Sequence, residues 1–136
     1  MTDSHFDQLL KVAASQPEPQ QLLFVFTSAE LPADATEAQR ERFLAGVGGT
    51  LAPLMCVDKA PSDLNGFSDL AAEAKLAGPP WQVVFAAALG GQGGKPPTQA
   101  QIEKALQGMV DAIHIGGVGR YAAFDVNGDP IEFGGR

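Results

Sequence analysis

Short apolar runs alternate with stretches of helical period along this chain, and that alternation constrains its fold most strongly. The first run, Leu22-Leu23-Phe24-Val25-Phe26, is continuous. Its length and aromatic content predict a strand buried on both faces. A second run covers 51–57, a third covers 81–89 and is the most apolar stretch, and a fourth covers 120–126. Before and between them lie helical patterns. Phe6, Leu9, Leu10 and Ala13 fall at i, i+3, i+4 and i+7, with Asp3 or Ser4 as cap and Pro17 and Pro19 as stop. Thr36 and Gln39 form a capping box for a short second helix carrying Phe43, Leu44 and Val47, ended by Gly46, Gly48 and Gly49. A third helix carries Leu64, Phe67, Leu70, Ala71 and Ala74, starts between Ser62 and Ser68, and stops at Gly78-Pro79-Pro80. A fourth is the cleanest: Thr98 and Gln101 box its start, Ile102, Ala105, Leu106, Met109, Val110 and Ile113 make one face, and Gly116 or Gly117 caps its end.

The expected order is α-β-α-β-α-β-α-β-β. Asn127-Gly128 signals a hairpin turn, and 130–133 returns as a fifth, edge strand. Strands alternating with helices predict an α/β fold with a mostly parallel, four- to five-stranded sheet flanked by helices and an antiparallel C-terminal hairpin edge. Pro53 leaves one alternative open: residues 49–54 pair antiparallel to the first strand, because proline suits an edge. With 136 residues and no linker or repeat, 1–136 reads as a single domain.

Charge narrows the partners. Lys and Arg number 9 and Asp and Glu 16, a net charge of 9 − 16 = −7, which argues against nucleic acid and anionic membranes. The apolar stretch 83–89 is far shorter than the ~20 residues that span a bilayer. No charged and then apolar leader opens the chain, and Cys56 has no second cysteine to pair with, so the expected setting is cytoplasmic.

Four stretches carry a resemblance. Ser28-Ala29-Glu30-Leu31-Pro32, Pro53-Leu54-Met55-Cys56-Val57-Asp58-Lys59, Val84-Phe85-Ala86-Ala87-Ala88-Leu89 and Ala123-Phe124-Asp125, in this spacing, resemble a family of small bacterial proteins over nearly the whole chain. Its members often carry the label "ribonucleotide reductase subunit alpha". A reductase large subunit needs one cysteine for a thiyl radical and a further pair to deliver electrons, whereas this chain has Cys56 alone. The resemblance therefore implies a shared fold and supplies no catalytic residues.

The candidate ligand site comes from loops. Gly90, Gly91, Gly93, Gly94 and Lys95 lie between the third strand and a helix start at Thr98. Backbone N–H groups and a helix dipole there suit an anion. The P-loop pattern fails, because Leu89 stands where the first glycine belongs and Pro96 where a magnesium-binding hydroxyl belongs. In a parallel sheet the loops after the strands share one edge, which adds Thr27, Ser28, Glu30, Asp58 and Lys59 to the set. The plain alternative is a flexible connection with polar loop ends. The letters Gly117-Val118-Gly119-Arg120-Tyr121-Ala122 match a dinucleotide fingerprint in reversed context and are set aside. Cys56, inside an apolar run, is expected to be buried and inert. His5 and His114 have no metal-ligand spacing, and His114 suits a helix C-terminus. No acid–base pair, metal set, cofactor motif or nucleophile constellation stands out. The leading expectation is a non-catalytic binding or protein-interaction domain with a protein or small-molecule partner. The alternatives are binding of a small anion or nucleotide-type ligand near 90–95, with or without enzymatic turnover, and self-association through the hairpin edge.

Overall fold

A computed structural model of the chain describes residues 4–30, 36–44, 50–115, 119 and 121–131. Four helices, α1 (His5–Ala14), α2 (Glu37–Leu44), α3 (Phe67–Ala77) and α4 (Gln99–His114), alternate with four strands, β1 (Gln20–Glu30), β2 (Thr50–Lys59), β3 (Val83–Gly90) and β4 (Ala122–Asp125). The strands form one sheet in the order β2-β1-β3-β4. Every neighbouring pair is antiparallel, which corrects the parallel sheet expected from the alternation of elements.

The physical reason lies in the connections. Strand β1 leads through α2 to its own neighbour β2, and β3 leads through α4 to its neighbour β4. Those helices sit in long links between adjacent antiparallel strands. Only the link through α3 is a true crossover, because β2 and β3 run the same way but flank β1 without pairing. A strand buried on both faces carries the same continuous apolar pattern in either kind of sheet, provided that helices cover both sides.

Both sides are covered. Leu22, Phe24 and Phe26 point to one face, where Phe6 of α1, Leu70 and Ala74 of α3, Trp81 and Phe124 complete an apolar core. Leu23 and Val25 point to the other, with Phe85 and Ala123, beneath Ile102, Met109 and Ile113 of α4. Leu106, expected on the buried face, is half-buried at its margin. Phe6 joins the first core together. Its ring meets Phe67 at 5.3 Å and 81° and Phe124 at 5.4 Å and 79°, both edge-to-face, and lies 6.0 Å from Phe24.

Local chemistry sets the ends. Ser4 caps α1: its hydroxyl accepts from the Asp7 N–H at 3.0 Å while the Asp7 carboxylate accepts from the Ser4 N–H. Thr98 and Gln101 do the same for α4 at 3.2 and 2.9 Å. Strand β1 continues through Thr27 and Ser28, which the sequence had suggested as loop. Thr27 is fully buried, and its hydroxyl donates to the Val83 carbonyl at 2.9 Å. The proline alternative at 49–54 holds, since Thr27 opposes Pro53 and Ala29 opposes Leu51 in antiparallel register. The register shifts at this point and leaves Leu54 as an extra residue, so Pro53 sits at a bulge on an edge strand.

After β4 the chain turns on Asp125, whose Oδ1 accepts from the Asn127 and Asp129 N–H groups at 2.8 and 3.0 Å. Gly128 has φ +84, and a Cβ there would lie 2.9 Å from the Phe67 ring, so the turn requires glycine. The expected fifth strand is represented, among the described residues, by one antiparallel bridge between Phe124 and Pro130 and by the Ile131 N–H donating to Ala123 O at 2.9 Å. Its continuation through 132–136 lies outside the described residues, as do the glycine stops at 46, 48 and 49, those at 116 and 117, Asp3 and Val47. Nor are the side chains of Phe43 and Leu44 described. Among the described residues no helix is long and apolar enough to cross a membrane.

Candidate functional site

Antiparallel pairing divides the loops that a parallel sheet would gather. The C-terminal ends of β1 and β4 lie at one edge of the sheet, and those of β2 and β3 at the other. Gln20 opposes Gly90, whereas Ser28, eight residues further along β1, opposes Ala52. At ~3.3 Å per strand residue, Ser28 is about 26 Å from the start of the glycine loop. Asp58 does lie toward the loop's edge, opposite Leu23, which in turn opposes Ala87. Its carboxylate accepts from Gln21 Nε2 at 2.8 Å. Lys59 points to the other face and pairs with Glu73 of α3 at 2.9 Å. Thr27 is a core residue, and the Glu30 side chain lies outside the description.

The glycine loop is closed on itself. Gln92 and Lys95 exchange both backbone hydrogen bonds at 3.0 Å, with Gly93 and Gly94 between them at φ +60 and +78. Two consecutive residues with positive φ make a tight hairpin turn, and glycine supplies them without strain. The Gly91 N–H donates to Pro19 O at 2.8 Å, and the Gly94 N–H to the Glu18 carboxylate at 2.7 Å. A Cβ on Gly91 would stand 1.8 Å from the Lys95 carbonyl oxygen. Turn geometry and close approach of backbone thus account for these glycines, and a carboxylate from the chain itself occupies the place of an external anion. The Thr98 hydroxyl is engaged in capping.

Cys56 is exposed, which corrects its expected burial. It lies opposite Val25 on β2, which among the described residues is an edge strand with a neighbour on one side only, so an apolar run there is not fully enclosed. Partial burial of the sulfur still pushes the thiol pKa up from 9.0, which disfavours the thiolate. His5 and His114 are exposed, the latter in the last turn of α4. Among the described residues no three of His, Cys, Asp and Glu are grouped to hold a metal ion.

A feature not anticipated from the sequence lies at the β4 edge. An open groove of about 610 Å³ runs between α1 and β4, lined chiefly by Leu9, Val12, Tyr121, Phe124, Pro130 and Ile131, with His5 and Gln8 on its α1 side. Leu9 and Phe124 are anchored in the core, and Val12 is 58% exposed. His5, Leu9 and Val12 sit at i, i+4 and i+7, a second stripe beside the buried stripe of Phe6 and Ala13. That second stripe is the one signal in the sequence. The groove itself joins the two ends of the chain and has no local pattern. Beyond the N-terminus of α1 a second, polar cleft of about 380 Å³ is bordered by Asp7, Asn65, Asp69, Asn127 and Asp129. The two clefts have no lining residue in common but are neighbours: Ser4, Asp7 and Asp129 line the polar one, and the residues that follow each of them, His5, Gln8 and Pro130, line the groove.

No protein-family model, curated protein or solved structure matches this chain.

Proposed function

We propose that this chain is a non-catalytic protein-interaction domain, acting in the cytoplasm, that docks a segment of a partner protein in the groove between α1 and β4. The observation that carries this reading is the groove itself: an open, mostly apolar channel with a largely exposed aliphatic residue, Val12, on one wall. Small-molecule sites are typically concave and converge a few polar groups on an enclosed ligand. Here the walls are a helix flank and a sheet edge, a shape that suits a peptide segment. Binding of an anion or nucleotide at 90–95 has less support, because the N–H groups of Gly91, Gln92, Gly94 and Lys95 all donate within the chain.

The test is selection from a displayed random-peptide library on the purified protein. Enriched peptides should lose binding to Val12→Glu and keep it to Gln107→Ala, an exposed change on α4 away from the groove. Both variants should retain the parent's circular dichroism and thermal midpoint. Failure to enrich any peptide, or enrichment indifferent to Val12→Glu, would refute the proposal.

A further inference from the structure

From the charge around this groove we infer the chemistry of its occupant: a partner segment with an aliphatic anchor followed by Lys or Arg, its basic end lying over the polar cleft. This rests on the interaction reading above and specifies the partner.

Three carboxylates from three elements border that cleft: Asp7 in the first turn of α1, Asp69 in the first turn of α3 and Asp129 after β4. Among the described residues lining the two clefts, none is Lys or Arg. Asp7 accepts from the Ser4 N–H and Asp69 from Asn65 Nδ2 at 3.0 Å. An ionised carboxylate offers about four acceptor positions, so each retains capacity for a cation after these bonds. The helix N-termini beneath Asp7 and Asp69 offset part of their charge, but they present no side-chain cation.

The same charge excludes the competing occupants. A second copy would bring another −7 against this rim. Nucleic acid and anionic membrane are repelled for the same reason. An acidic peptide would meet like charge at short range. A basic, apolar segment satisfies both parts of the surface: its aliphatic side chain covers Leu9 and Val12, and its cations approach Asp69 and Asp129 from solvent.

The experiment uses the full chain and the peptides enriched above, resynthesised in their selected form and with each Lys and Arg replaced by Gln. Enriched sequences should carry Lys or Arg beside an aliphatic residue. Affinity should fall with added salt and with the Gln replacement. The paired Asp69→Asn, Asp129→Asn variant should weaken binding about 2- to 30-fold, the range for two exposed ion pairs. Peptides that are neutral or acidic yet sensitive to Val12→Glu would overturn the inference and leave the groove reading standing. So would affinity that is indifferent to salt and to the paired variant. Absence of any Val12-dependent peptide would overturn both.

Discussion

Replacing Phe6 tests how the core holds α1, the helix that forms one wall of the groove. Phe6 is fully buried and makes edge-to-face contacts with Phe67 at 5.3 Å and with Phe124 at 5.4 Å. Each such pair contributes about 0.5–1.5 kcal/mol beyond the area it buries. Phe6→Leu keeps most of the apolar burial and removes both ring contacts, so the expected loss is about 1–3 kcal/mol. Phe6→Ala adds a cavity and should cost about 3–5 kcal/mol. The assay is urea unfolding followed by circular dichroism. With a slope of about 2 kcal/mol per molar urea, the Leu variant should move the midpoint by about 0.5–1.5 M. A double-mutant cycle with Phe124→Leu should show coupling of about 0.5–1.5 kcal/mol. A Phe6→Leu loss below about 0.5 kcal/mol, the range of an ordinary surface change, would refute the claim that these ring contacts hold α1 to the sheet.

Three further outcomes are expected. Thr98→Ala removes the hydroxyl that accepts the Gln101 N–H and should cost about 0.5–2 kcal/mol in thermal or urea unfolding. Gly91→Ala forces a Cβ against the Lys95 carbonyl and should cost roughly 1–3 kcal/mol or more, whereas unchanged stability would show that the loop is open. Cys56 should label to completion in the native protein because it is exposed. Its rate should be slow at neutral pH and keep rising through pH 9 without a plateau, because burial of the sulfur raises its pKa above 9.0 and leaves little thiolate below it. A rate that levels off near pH 7 would contradict this.

Local pattern made some elements legible and left others hidden. The apolar run 22–26 marks β1 as buried on both faces, because every side chain in it is apolar and none needs solvent. The capping box at Thr98 and the spacing of Ile102, Met109 and Ile113 define α4 in the same way. Strand direction left no mark, since Leu22, Phe24 and Phe26 would be buried whichever way the neighbours ran. The candidate site depended on that direction. Once β1 and β2 run oppositely, Ser28 and Asp58 belong to different edges of the sheet. Gly93 and Gly94 read in the sequence only as part of a loop, and the carboxylate that engages the turn they form, Glu18, lies in a segment distant in sequence. The groove was hidden for the same reason: Val12 and Pro130, far apart in sequence, line one groove only once the fold brings α1 beside the segment after β4.

The most direct test of the central claim is a backbone amide NMR titration with the enriched basic peptide, mapped along the whole chain. Shifts should concentrate at 5–12 on α1 and at 121–131 in β4 and the turn after it, with smaller changes near Asp69. Shifts centred on the glycine loop at 90–95, or along the open edge of β2 at 50–59, would contradict the account and place the docking surface elsewhere.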